Sequence, residues 1–76
     1  MKTYKLDVND ANVYVWKEEN YWKWDVCSLG SRNSFDFGIC STEKRAKEEA
    51  KDHYNFMNNF KKNYKKPKRV KWIKVS

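Results

Sequence analysis

Only two cysteines, Cys27 and Cys40, and one histidine, His53, occur in 76 residues. Four Cys or His ligands for a structural zinc therefore cannot be assembled. No long apolar run exists either. The N-terminus, Met1-Lys2-Thr3-Tyr4-Lys5-Leu6-Asp7, alternates charged with apolar residues, so neither a signal peptide nor a membrane span is expected, and the expected setting is the cytoplasm with reduced thiols. Glycine, proline and alanine are scarce while lysine, asparagine and tyrosine abound, which suggests an AT-rich genome such as that of a phage or other mobile element. Acid is missing from one end. Residues 61–76 carry eight Lys or Arg and no Asp or Glu, whereas the first sixty carry nine basic and ten acidic residues. The whole formal charge of +7 therefore sits in one segment, which favours polyanionic partners over mere solubility.

Thirteen aromatic residues are present, and a disordered chain has few. A single domain of this length buries only about 60–65% of its unfolded surface, and each aromatic ring adds on the order of 150–250 Å² to its core. One domain spanning 1–76, with a basic segment at 61–76, is the expected organisation.

Tyr4, Leu6 and Val8 alternate with Thr3, Lys5 and Asp7, the period of a half-buried strand over roughly 2–8. A turn cluster, Asn9 to Asn12, precedes a second strand at about 13–18. A two-residue turn at Glu19-Asn20 pairs Glu18 with Tyr21, Val15 with Trp24 and Val13 with Val26. One face then carries Val13, Val15, Trp22, Trp24 and Val26, and the other carries Tyr14, Trp16, Tyr21, Lys23 and Asp25. A second hairpin, closed across Gly30-Ser31-Arg32-Asn33, places Val26 opposite Phe37 and Trp24 opposite Ile39. This register sends Phe35, Phe37 and Ile39 to the inner face and Ser34, Asp36, Gly38 and Cys40 to the outer one.

Ser41-Thr42-Glu43 supplies an N-cap and an acidic first turn, and Ala46, Ala50, His53, Tyr54, Met57 and Phe60 recur at helical spacing, which predicts a helix from about 42 to 62. Val70 to Val75 reads as a short last strand whose Lys71 and Lys74 suit an edge. It can pair beside the first strand or extend away. The expected fold is α+β: a four-strand antiparallel meander, then one helix covering its inner face, then the C-terminal strand.

The outer face offers Tyr14, Trp16 and Tyr21 with Lys23, a set able to stack bases; alternatively the terminal segment or a second copy covers these rings. Lys61, Lys62, Lys65, Lys66, Lys68, Arg69, Lys71 and Lys74, with Arg32 in a loop, can contact phosphates, or can form a solvated tail. His53 lies on the apolar stripe and reads as a core residue. Cys27 and Cys40 face Asp36 and Lys23 in this register, not each other, which disfavours a disulfide. Asp25 and Asp36 share the outer face without a third ligand, so pairing with Lys23 is expected ahead of metal binding or acid–base chemistry. No catalytic residue, metal or cofactor is expected.

The run Trp22-Lys23-Trp24-Asp25-Val26, then Phe35-Asp36-Phe37-Gly38, then Ser41-Thr42 with Ala46 and Ala50 resembles the three-strand-plus-helix modules of AP2 and integrase arm-binding type over about half the chain. That resemblance implies a sheet that contacts DNA through Tyr14, Trp16, Tyr21, Lys23 and Arg32. The layout is also similar to small phage accessory proteins that inhibit a host enzyme or defence complex. Two functions are therefore expected: a non-enzymatic protein binding DNA or RNA, or a module binding an acidic host protein in the host cytoplasm. Homodimerisation through an edge strand is compatible with both.

Overall fold

The first hairpin forms in the register its alternation predicts. In the computed structural model, which describes residues 2–30, 33–59 and 70–76, β2 (Ala11–Lys17) and β3 (Trp22–Ser28) pair Val13 with Val26 and Val15 with Trp24. The Glu18 amide donates to the Tyr21 carbonyl at 2.9 Å and closes the turn. β1 (Thr3–Leu6) is antiparallel to β2, and β5 (Trp72–Lys74) is antiparallel to β1 on its far side. The C-terminal strand thus completes a five-stranded antiparallel sheet in the order β4-β3-β2-β1-β5.

The second hairpin corrects the expectation. β4 (Asp36–Cys40) pairs Asp36 with Val26, Gly38 with Trp24 and Cys40 with Trp22, one residue away from the expected alignment. Every side chain on the strand changes face as a result. Phe37 and Ile39 point away from the helix and are 73% and 64% exposed, while Asp36, Gly38 and Cys40 turn towards it. Trp24 is the physical reason. A Cβ at position 38 would stand 2.6–2.7 Å from three atoms of the Trp24 indole, so neither Ile39 nor Phe37 fits in that slot. Phe35, also expected inside, is half exposed and keeps one helix contact, its ring centroid 6.2 Å from that of Phe56.

The helix α1 (Glu43–Asn58) packs over β2, β3 and β4. Thr42 caps it, its hydroxyl accepting from the Arg45 amide at 3.2 Å, and Glu43 sits in the first turn, where a carboxylate complements the positive end of the helix dipole. Ala46 and Ala50 are fully buried, and their small side chains let the helix backbone lie close to the sheet. Tyr54 follows on the same stripe and donates to Asp10 Oδ1 at 2.7 Å, tying the helix to the β1–β2 turn. Leu6, Val13, Val15 and Val26 are wholly enclosed beneath, each worth about 1.5–3 kcal/mol of burial. Residues 60–62 of the expected helix lie outside the described residues.

Lys47 reaches from the helix across the β1–β5 side. Its ammonium stands 3.9 Å from the Tyr4 ring centroid and 5.9 Å from that of Trp72, while also bonding Glu43 at 3.2 Å. The helix thereby covers one face of the sheet.

The register yields a paired stability test. Gly38→Ala forces the Trp24 ring aside and is expected to cost about 1–3 kcal/mol, a fall in Tm on the order of 4–8 °C per kcal/mol. Phe37→Ser is expected to cost under about 0.5 kcal/mol, as for a surface position. Chemical denaturation of both variants checks this, and a large loss for Phe37→Ser would contradict the outward placement.

Candidate nucleic-acid interface

The face of the sheet opposite the helix is built by alternate residues of all five strands. One row runs Ile39, Lys23, Trp16, Thr3, and the next runs Phe37, Asp25, Tyr14, Lys5, Ile73. Tyr14 and Trp16 are half-buried among their neighbours, and Phe37, Ile39 and Ile73 are exposed. Cations lie beside the rings: Lys5 Nζ is 5.8 Å from the Tyr14 centroid, and Lys23 Nζ is 5.8 Å from that of Tyr21. Trp16 is oriented by its indole N–H, which donates to Glu18 Oε1 at 2.9 Å. A hollow of about 500 Å³ opens over the β3–β4 side, where Trp16, Lys23, Asp25, Phe37 and Ile39 are among its walls.

Of the residues singled out in the sequence, Tyr14, Trp16 and Lys23 come together on this face, with Tyr21 at its rim in the β2–β3 turn. Lys71 and Lys74 are exposed on β5 and the residue before it, at the opposite edge. Lys74 pairs with Tyr4 and so belongs to the helix-side row, which leaves Ile73 on the open face. Arg32, Lys61, Lys62, Lys65, Lys66, Lys68 and Arg69 lie outside the described residues. Phe37 and Ile39 are the contributors that sequence reasoning placed inside. The available signal was Gly38, whose missing side chain suits a position directly opposite a tryptophan.

Asp25 and Asp36 do not share a face. Asp36 turns to the helix and bonds His53 Nδ1 at 2.5 Å. Asp25 stays on the open face, but its expected partner Lys23 lies towards Tyr21, and Asp25 Oδ1 is buried with no hydrogen-bond partner among the described residues.

A second polar group lies between β4 and the helix. Glu49 Oε2 accepts from the Cys40 thiol at 2.7 Å and from the Trp24 indole N–H at 3.1 Å, and its other oxygen is 3.7 Å from Arg45 Nε. His53 stacks on Trp24 with centroids 4.6 Å apart. Cys40, expected outside, is buried here because the register puts it on the helix side. Burial first, and then the Glu49 hydrogen bond, raise its thiol from an ordinary 9.0 to about 11. Glu49 moves the other way, held below the usual carboxylate range chiefly by the Cys40 hydrogen bond. A thiol kept protonated in this way donates a hydrogen bond and is a poor nucleophile. His53 is committed to Asp36, as a half-exposed bridge across the helix–sheet seam.

Among the described residues no helix is long and apolar enough to cross a membrane, and no group of three or more His, Cys, Asp or Glu is placed to hold a metal ion. Compared with models of protein families, with curated proteins and with solved structures, the chain matches none.

The raised thiol predicts selective chemistry. At about pH 8 a disulfide reagent is expected to modify Cys27 in the native protein and Cys40 only after unfolding. Because the folded value is the higher one, the Cys40 contribution to stability is complete below pH 9.0 and declines as the pH rises towards about 11. Cys40→Ala should flatten that alkaline decline in thermal melts. Equal native reactivity of the two thiols would contradict the Cys40–Glu49 bond.

Proposed function

We propose that the protein is a non-enzymatic nucleic-acid-binding protein that stacks unpaired bases on its open sheet face. The observation that carries this reading is the placement of half-buried Tyr14 and Trp16 and exposed Phe37 on the face opposite the helix, which no other described element covers, with Lys5 and Lys23 among them. Each base stacked on such a ring contributes about 1–3 kcal/mol with little dependence on sequence. Unstacked bases are needed, so single strands are preferred over duplexes. The resemblance to AP2 and integrase arm-binding modules, whose sheets contact DNA, points to the same face.

Charge divides the work. The described residues carry ten Lys or Arg and ten Asp or Glu, so the excess of +7 resides in Arg32 and in residues 61–69. Stacking then belongs to the sheet, and phosphate attraction to the segment leading into β5, with Lys71 and Lys74 beyond it. Whether the strand is DNA or RNA follows from contacts to the 2′-hydroxyl. The reading sets the protein in the cytoplasm, that of the host if a phage encodes it.

The aliphatic residues Ile39, Ile73 and Val75 on the same face favour a second reading, since they add apolar area without a ring to stack. In that reading the face is a hot spot for a host protein, an enzyme or a defence complex, and the lysines steer it to an acidic partner.

A salt titration of binding to single-stranded oligonucleotides and to a random duplex separates the readings. Trp16→Ala is expected to weaken single-strand binding at every salt concentration with the slope unchanged. Neutralising Lys65, Lys66 and Lys68 together should reduce the slope of log affinity on log salt by about 2, at roughly 0.7 per phosphate contact. Absence of binding at ~50 mM salt would overturn the nucleic-acid reading. Nuclease-treated lysate, from which wild type but not Trp16→Ala retains a single partner, would then support the protein-binding one.

A further inference from the structure

Asp25 Oδ1 is the only carboxylate oxygen among the described residues that is buried with no hydrogen-bond partner. The neighbouring acids are engaged: Glu49 by Cys40 and Trp24, Asp36 by His53, Asp10 by Tyr54, Glu18 by Trp16. A buried acceptor left unmatched is unfavourable, and a donor brought by a ligand relieves it. Asp25 is among the residues that line the hollow of about 500 Å³ on the open sheet face, and its terminal torsion is broad, so the carboxylate is free to reorient when a donor arrives there.

We infer that this hollow is a subsite for one unstacked base that presents two adjacent N–H donors, which selects guanine, with Trp16 and Phe37 against its faces and Asp25 accepting from its Watson–Crick edge. The inference rests on the nucleic-acid reading of the sheet and adds a base preference to it. Guanine N1–H and N2–H lie side by side and match the two oxygens of a carboxylate. Adenine and cytosine offer one amino donor beside a ring acceptor. Thymine and uracil flank their single N–H with carbonyls, which face a carboxylate unfavourably.

Lys23 decides between a base and a cationic side chain as the guest. Aromatic walls with a carboxylate also suit an arginine or lysine of a partner protein. Lys23, however, lies on the same strand and face as Asp25 and lines the same hollow. It repels a cationic guest and attracts the phosphate that accompanies a base. Ser34 at the margin adds a hydroxyl that can bond sugar or phosphate.

The test uses the full chain and short, labelled thymidine strands whose central residue is dT, dG or deoxyinosine, with affinity read by fluorescence anisotropy at fixed salt. The dG strand is expected to bind about ten-fold more tightly than the all-dT strand, a difference of about 1.4 kcal/mol. Deoxyinosine, which lacks the N2 amino group, should fall between them. Asp25→Asn should abolish the guanine advantage, bringing the dG and all-dT strands to within about two-fold of each other. The deoxyinosine comparison needs no variant, so the proposal is tested even if Asp25→Asn fails to fold. Equal affinity of wild type for dG and dT strands, with Trp16→Ala still weakening both, would overturn the subsite while the sheet platform stands. Failure to bind any strand would overturn both. Binding of an arginine-rich peptide that Asp25→Asn abolishes, with no guanine preference, would assign the hollow to a protein side chain instead.

Discussion

The contact between the Trp24 indole and the bare backbone at Gly38 fixes the arrangement of everything on the β4 side. With the ring laid across the strand, only a residue without a side chain can stand opposite it. That requirement sets the β3–β4 register, and the register determines the chemistry of both faces. On the helix side it gathers small and polar groups, Asp36 and Cys40, within reach of His53 and Glu49. On the other side it leaves Phe37 and Ile39 in solvent. The Glu49 carboxylate and the His53 ring hold the indole from above, so helix, tryptophan and glycine form one locked unit.

The molecule separates exposed apolar surface from net charge. Its described body is balanced in formal charge, ten basic residues against ten acidic, while the excess falls on Arg32 and residues 61–69 of the sequence. This explains why composition alone, with its net charge of +7, says little about the sheet.

The first hairpin, the helix and its cap were legible because several signals agreed at each. Val13, Val15, Trp24 and Val26 alternate with polar residues on both sides of a short turn, and Thr42 precedes an unambiguous Ala46–Ala50 stripe. The second hairpin was not legible from hydrophobicity. In residues 34–40 the large apolar side chains alternate with small or polar ones, and a pattern of period two fits either face equally well. The usual preference for burying phenylalanine favoured the wrong face, because it ignores the volume already occupied by Trp22 and Trp24. Volume, not polarity, decided the outcome. Of the open face, Tyr14, Trp16 and Lys23 were readable from β2 and β3, whereas Phe37, Ile39 and the unmatched carboxylate of Asp25 required the three-dimensional arrangement.

The two rims of the sheet are unlike. At β5 the exposed Lys71 and Lys74 would bring ammonium groups into mutual repulsion if a second rim of the same kind approached. At β4 the sequence Asp36-Phe37-Gly38-Ile39-Cys40 carries no lysine, and the Phe37 amide is instead taken by the Asp36 carboxylate at 2.9 Å. A side chain that caps its own strand in this way leaves one donor fewer for a further strand to meet.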